Sequence, residues 1–239
     1  MLQFDSISLQ YKNYAPPILN QVSFRMEQGD SRYLTGRNGV GKSSLLSLLY
    51  MATAPSQGEI RLFGQSISRC PRPQRQSLRR KMGILFQEPQ LIEHVNVFDN
   101  VALPLRLAHI SEQNIQNSVM ELLKWLELDH KAYDMPGTLS GGERQCIALG
   151  RSVIHRPQFI IADEPTAHID HYSSEKILRL LYELNKLGTS LIIATHDPWI
   201  LENYPAIQLH LHEGQIEEIA PPSYIETPIN PHDIMAPAA

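Results

Sequence analysis

Gly36-Arg37-Asn38-Gly39-Val40-Gly41-Lys42-Ser43 is the stretch that decides the fold. It fits the pattern G-x-x-x-x-G-K-[ST] and lies between a short strand expected at 31–35 and a helix expected at 42–52. Glycines here let consecutive backbone N–H groups turn inward around phosphate oxygens. The helix that follows points its positive end at the same anion. Lys42 is then placed to reach the β- and γ-phosphates and Ser43 to ligate Mg²⁺, with Arg37, Asn38, Val40 and Ser44 completing the nucleotide-binding loop.

Two further motifs extend the reading. Gln158-Phe159-Ile160-Ile161-Ala162-Asp163-Glu164 is an apolar strand ending in two carboxylates. Next to a phosphate loop, Asp163 suits Mg²⁺ and Glu164 suits polarising an attacking water. Leu139-Ser140-Gly141-Gly142-Glu143-Arg144-Gln145 puts two glycines at the start of another helix, a second phosphate-binding nest. One subunit has little use for a second nest. Two subunits arranged head to tail would each cap the nucleotide of the other.

On these motifs the chain resembles the nucleotide-binding subunits of ABC transporters, over about residues 2–219. The resemblance implies an α/β fold: a P-loop NTPase with a RecA-like parallel-sheet core, an N-terminal antiparallel β subdomain and an inserted α-helical signature subdomain at about 88–156. The whole would form one ATPase domain at 1–220. It implies a Mg²⁺-dependent ATPase working as a homodimer around two ATP molecules. Tyr11 would stack on adenine. Gln87, in Phe86-Gln87-Glu88-Pro89, would touch Mg²⁺ and the water. His196, in Ala194-Thr195-His196-Asp197, would hydrogen-bond the γ-phosphate. Ser140, Gly141, Gly142, Glu143 and Asp170 would line the dimer interface. Two departures stand out: Cys146 replaces a frequent Arg, and Ala167-His168-Ile169-Asp170 replaces Gly-Asn-Leu-Asp or Ser-Ala-Leu-Asp.

Within the family, residues 91–105, the spacing across 58–87 and the segment from Asp163 to Asp197 resemble the cell-division branch. Lipoprotein-release and exporter branches, which would move a substrate, usually read Val-Thr-His-Asp in place of Ala194-Thr195-His196-Asp197. The resemblance implies a permease-like integral-membrane partner seated near residues 87–105, with Phe98, Val101 and Leu105 in the groove. The chain would then lie on the cytoplasmic face of the inner membrane, peripheral through that partner.

The rest of the chain agrees with this reading. Its 239 residues are 42% hydrophobic and 19% charged, enough for a real core. A net charge of -4 argues against broad nucleic-acid binding, and the cluster Arg72, Arg75, Arg79, Arg80, Lys81 reads as a solvated helix face. Two cysteines without metal-ligand spacing read as reduced thiols. The N-terminus lacks signal-peptide character, and no apolar run is long enough to cross a bilayer. Leu2, Phe4, Ile7 and Leu9 nearly alternate with polar residues, so the chain opens as β structure. Ile115, Val119, Leu122 and Leu126 share a helix face, with Ser111 as its N-cap. Ile177, Leu181, Leu184 and Leu187 share another, and Glu213-Gly214 reads as a hairpin turn. The Pro-rich segment 221–239 reads as a weakly ordered tail.

Overall fold

The near-alternation at the N-terminus slips by one residue between Phe4 and Ile7, and the backbone follows it. In the computed structural model, which describes residues 1–11, 16–68 and 70–221, β1 (Leu2–Leu9) pairs antiparallel with β2 (Leu19–Met26). Phe4 faces Phe24, Ile7 faces Val22 and Leu9 faces Leu19, so each strand carries one extra residue. Those residues are Ser6 and Gln21, at φ 49° and 53°. Ser23 Oγ accepts the Ser6 N–H at 2.9 Å and Ser8 Oγ accepts the Gln21 N–H at 3.1 Å. The paired bulges keep all four apolar residues of β1 buried on one face.

After β2 come β3 (Ser31–Thr35), α1 (Lys42–Leu49), β4 (Gln57–Leu62), β5 (Gln65–Ser66), α2 (Arg72–Arg79) and β6 (Met82–Leu85). Strands β4 and β5 complete an antiparallel sheet of order β2-β1-β4-β5. Three helices then stand before the next strand: α3 (Val97–Leu107), α4 (Glu112–Trp125) and α5 (Gly141–Val153). The chain returns through β7 (Phe159–Asp163), α6 (His171–Lys186), β8 (Ser190–Ala194), α7 (Pro198–Asn203), β9 (Ile207–His212) and β10 (Gln215–Ile219). A second sheet of order β10-β9-β3-β8-β7-β6 results, parallel from β9 to β6, with β10 closing antiparallel through Glu213 and Gly214 in left-handed conformation.

Strand periodicity sends alternate residues of this sheet into two different cores. Phe159, Ile161, Ile192 and Leu34 join β1, β2, β4 and α1 in one cluster. Ile160, Ala162, Leu191, Ile193 and Tyr33 join the helices α3 to α6 in the other. The fold class is the one the resemblance implied.

Several local expectations are corrected. Phe98, Val101 and Leu105 do not line an open groove: they are 6%, 0% and 9% exposed and belong to the helical core. The helix expected at 42–52 stops at Leu49, because Met51 turns left-handed and Arg79 takes the carbonyls of Tyr50 and Met51 at 2.9 and 3.2 Å. The basic face of α2 is therefore partly structural. Ser111 occupies the N-cap of α4 without a side-chain cap bond. Leu187 caps the end of α6 and is 83% exposed, outside the buried face formed by Ile177 and Leu181. The segment expected as a weakly ordered tail lies, from residue 222 on, outside the described residues.

Gly58 sits at φ 88°, and a Cβ there would stand 2.4 Å from the Ser6 carbonyl oxygen. Gly64, at φ 76°, has open space around that position. Gly58→Ala is expected to cost about 2–4 kcal/mol, the left-handed penalty plus overpacking against a fixed backbone, and Gly64→Ala only about 1 kcal/mol. Denaturant midpoints at constant m-value read both. Cys70 and Cys146 are free and buried, and burial pushes the Cys146 thiol up to about 11. A thiol reagent at neutral pH is expected to leave Cys146 unmodified in the folded chain and to label it after unfolding.

Candidate functional site

Parallel pairing brings four strand ends to one edge of the large sheet. Leu34 of β3 and Asp163 of β7 both pair with Ala194 of β8, and Leu85 of β6 pairs with Ala162. The residues just beyond these pairs therefore emerge side by side: the glycine loop after β3, Gln87 after β6, Glu164 after β7 and His196 after β8. In open α/β sheets this carboxyl edge is where ligands bind.

A cleft of about 580 Å³ opens there. It is lined by Asn38, Gly39, Gly41, Lys42, Ser43 and Ser44 from the glycine loop and the start of α1, and by Gln87, Asp163, Glu164, Ala167, His168 and His196 from the ends of the neighbouring strands. The glycine loop has the shape its sequence predicted. Gly36 and Gly41 sit at φ 137° and 117°, and a Cβ on Gly36 would lie 2.4 Å from the Leu211 carbonyl oxygen. The Lys42 ammonium curls over the loop and donates to the Gly36 carbonyl at 2.9 Å.

Around Asp163 the charges oppose one another. Burial pushes the Asp163 carboxyl above the ordinary carboxylate range; the Ser43 hydrogen bond opposes this, the neighbouring Glu164 adds to it, and Lys42 opposes it. A site holding two adjacent carboxylates, one of them raised, is short of positive charge. Glu164 occupies the left-handed region at φ 45°, unusual for its type. Its N–H donates to the Ala194 carbonyl at 2.9 Å, its own carbonyl accepts the Ala167 N–H at 3.1 Å, and its Oε1 lies 2.8 Å from His196 Nδ1. Backbone and side chain are thus both held. After His196, Asp197 caps α7 by accepting the Trp199 N–H at 3.0 Å.

Other expected site residues lie elsewhere. Gly36, Arg37 and Val40 shape the loop without lining the cleft. Tyr11 is exposed beyond β1 and also off the lining, but it stands close enough to Tyr50 to help raise that phenol, after burial and Asp163. Ser140 to Glu143 sit apart from the cleft, at the start of α5. There Ser140 and Glu143 form a reciprocal capping box, and Glu143 also pairs with Lys131 at 2.5 Å, which holds its carboxyl below the usual range. Asp170 caps α6: its carboxylate accepts the Ser173 N–H at 2.9 Å and the Ser173 hydroxyl at 2.7 Å.

Two features escaped the sequence reading. Gln145, buried on α5, donates its amide to the Phe86 carbonyl at 3.1 Å, tying the signature helix to the segment that carries Gln87. Asn100, fully buried on α3, binds both the N–H and the carbonyl of Ile92 and the carbonyl of Val95, and so staples the loop after Gln87. Arg151 holds the same loop through the Gln90 carbonyl at 2.6 Å. Only an unexpectedly polar residue on an otherwise apolar helix face could have flagged either.

The family model described as ABC transporter matches residues 19–167. The cell division ATP-binding protein FtsE of Escherichia coli K12 is 37% identical over 216 residues, covering 90% of this chain and 97% of that protein. FtsE of Mycobacterium tuberculosis is 33% identical over 216 residues, covering 90% and 94%. Among solved structures, the ATP-binding cassette MJ0796, a dimer in a post-hydrolysis state bound to ADP and Pi, superimposes with a TM-score of 0.86 at 27% identity, covering 94% of this chain and 100% of that one. CbiO1 of Clostridium perfringens, part of the ABC transporter complex CbiONQ, gives 0.82 at 29% identity, covering 92% and 88%. No helix among the described residues is long and apolar enough to cross a membrane. The chain belongs to the ABC transporter family, as an ATP-hydrolysing cassette.

Proposed function

We propose that two copies of this chain close around two ATP molecules, each cleft capped by the α5 start of the other copy, and that closure drives an FtsX-type membrane partner in an FtsE-like cell-division role. The observation that carries the dimer is the separation of the signature from its own cleft. Ser140 and Glu143 cap each other, which leaves the amides of Gly141 and Gly142 at the helix start without a partner within the helix, and a Cβ on Gly141 would meet nothing of this chain within 4 Å. Such a nest suits the phosphate of another copy's nucleotide. The dimeric, ADP- and Pi-bound state of MJ0796 supports the same arrangement.

The residues of the cleft suit the chemistry. Ser43, Gln87 and Asp163 would hold Mg²⁺, whose charge the two carboxylates call for and which would neutralise phosphate oxygens. Lys42 would bind the β- and γ-phosphates. Glu164, fixed through its backbone and through His196, would orient and polarise the water that attacks the γ-phosphorus. His196, with Nδ1 engaged by Glu164, keeps Nε2 for a γ-phosphate oxygen. Asp170, carried at the front of α6, would meet the other copy.

The names of the relatives support the cell-division role. An FtsX-type partner would carry the movement across the inner membrane to control septal peptidoglycan hydrolysis, with this chain on the cytoplasmic face. With Phe98 buried, the docking surface falls to exposed residues beside it. Tyr133, 69% exposed, stacks on the Phe98 ring at 6.2 Å, and exposed Met135 follows. Arg144 joins this turn to the loop after Gln87 by pairing with Glu93 and donating to the Pro136 carbonyl at 2.8 Å. A push here reaches Gln87 through Arg144, Asn100 and Gln145.

Glu164→Gln is expected to retain ATP binding, lose turnover at least 100-fold and accumulate ATP-bound dimer on size exclusion. Turnover within threefold of the parent would remove Glu164 from the water-activating role. Lys42→Ala is expected to lose ATP affinity itself. Tyr133→Asp is expected to abolish co-purification with the membrane partner while the isolated chain keeps its ATP affinity; undiminished co-purification would reject this docking surface.

A further inference from the structure

We infer that His168 is a second imidazole for the terminal phosphate of ATP, a specificity-determining residue distinct from His196. The inference rests on the nucleotide reading of the cleft. His168 lines the same cleft as Glu164, His196 and Lys42. Its backbone is at φ 62°, a region that few residues with a side chain adopt. The turn is closed by the Ala167 N–H donating to the Glu164 carbonyl at 3.1 Å, so Glu164 and His168, both left-handed, flank one tight corner. Where strain of this kind persists, the surrounding structure must over-determine it, and such positions concentrate at ligand sites.

The two histidines are differently employed. His196 has one ring nitrogen engaged by Glu164. His168 is exposed, lines the cleft and makes no hydrogen bond or ion pair with the other described residues, so both of its ring nitrogens are available to a ligand. A triphosphate entering this cleft brings its last phosphate against two carboxylates, and donors are scarce there. Lys42 serves from the loop, Gln87 from beyond β6 and His196 from the end of β8, and His168 adds a further side-chain donor to the lining. A diphosphate ends one phosphate short and loses this contact. His168 thus separates ATP from ADP, and does so with a residue that a turn alone would not need: Gly or Asn holds φ near 60° at less cost.

The test uses equilibrium binding of ATP and of ADP, each with Mg²⁺, to the full chain carrying Glu164→Gln so that nothing is hydrolysed. In that background His168→Gly keeps the backbone turn and removes the ring. It is expected to weaken ATP binding about tenfold, the loss of one hydrogen bond to a charged group, and to leave ADP binding within twofold. His168→Gln, which returns a donor at similar reach, is expected to restore ATP affinity to within about threefold. An unchanged ATP-to-ADP ratio in His168→Gly, or equal weakening of both nucleotides, would overturn the assignment and leave His168 as a turn residue, with the parent reading intact. Failure of the Glu164→Gln chain itself to bind ATP would overturn the parent reading and this one with it.

Discussion

The ladder that pairs Leu34 with Ala194 and Ala194 with Asp163 sets the level at which three strands stop. Everything chemical depends on that level. The loop after β3 carries Lys42, the turn after β7 carries Glu164 and the end of β8 carries His196. They meet because parallel strands in register end on the same side. A shift of one residue in the β7–β8 pairing would send Asp163 to the opposite face of the sheet. Strands β7 and β8 are almost wholly buried, which holds the register against such slippage.

The site built on that edge is electrically unbalanced by construction. Asp163 is raised by burial and by Glu164, and Lys42 lines the same cleft. A group that brings cationic charge relieves the carboxylates, and a group that brings anionic charge suits the loop. Magnesium with a nucleotide triphosphate does both. The strained corner between Glu164 and His168 stands where these demands meet, so its backbone is fixed by the Ala194 carbonyl on one side and by the Asp170 cap of α6 on the other.

Much of this was legible in the sequence because local rules and the global fold agree. The glycine spacing before Lys42, the apolar run before Asp163 and the two glycines after Ser140 are each short-range signals with a physical cause. What escaped are facts of direction. Phe98, Val101 and Leu105 recur at helical spacing, but spacing does not say whether that face meets the core or a partner. Leu187 continues the apolar period of α6 past the point where the helix ends. Gln145 and Asn100 look like ordinary polar residues until the fold surrounds them and gives their amides to backbone carbonyls on either side of Gln87.

The division of the large sheet between two cores has a consequence for how such a chain diversifies. Phe159, Ile161 and Ile192 belong to the nucleotide side, and Ile160, Leu191 and Ile193 to the helical side. Because the two sets alternate along the same strands, side chains facing the helices can be exchanged as a group without repacking α1 beneath the phosphate loop. Substitutions confined to the helix-facing set would therefore change the helical layer while leaving the packing of α1 as it is.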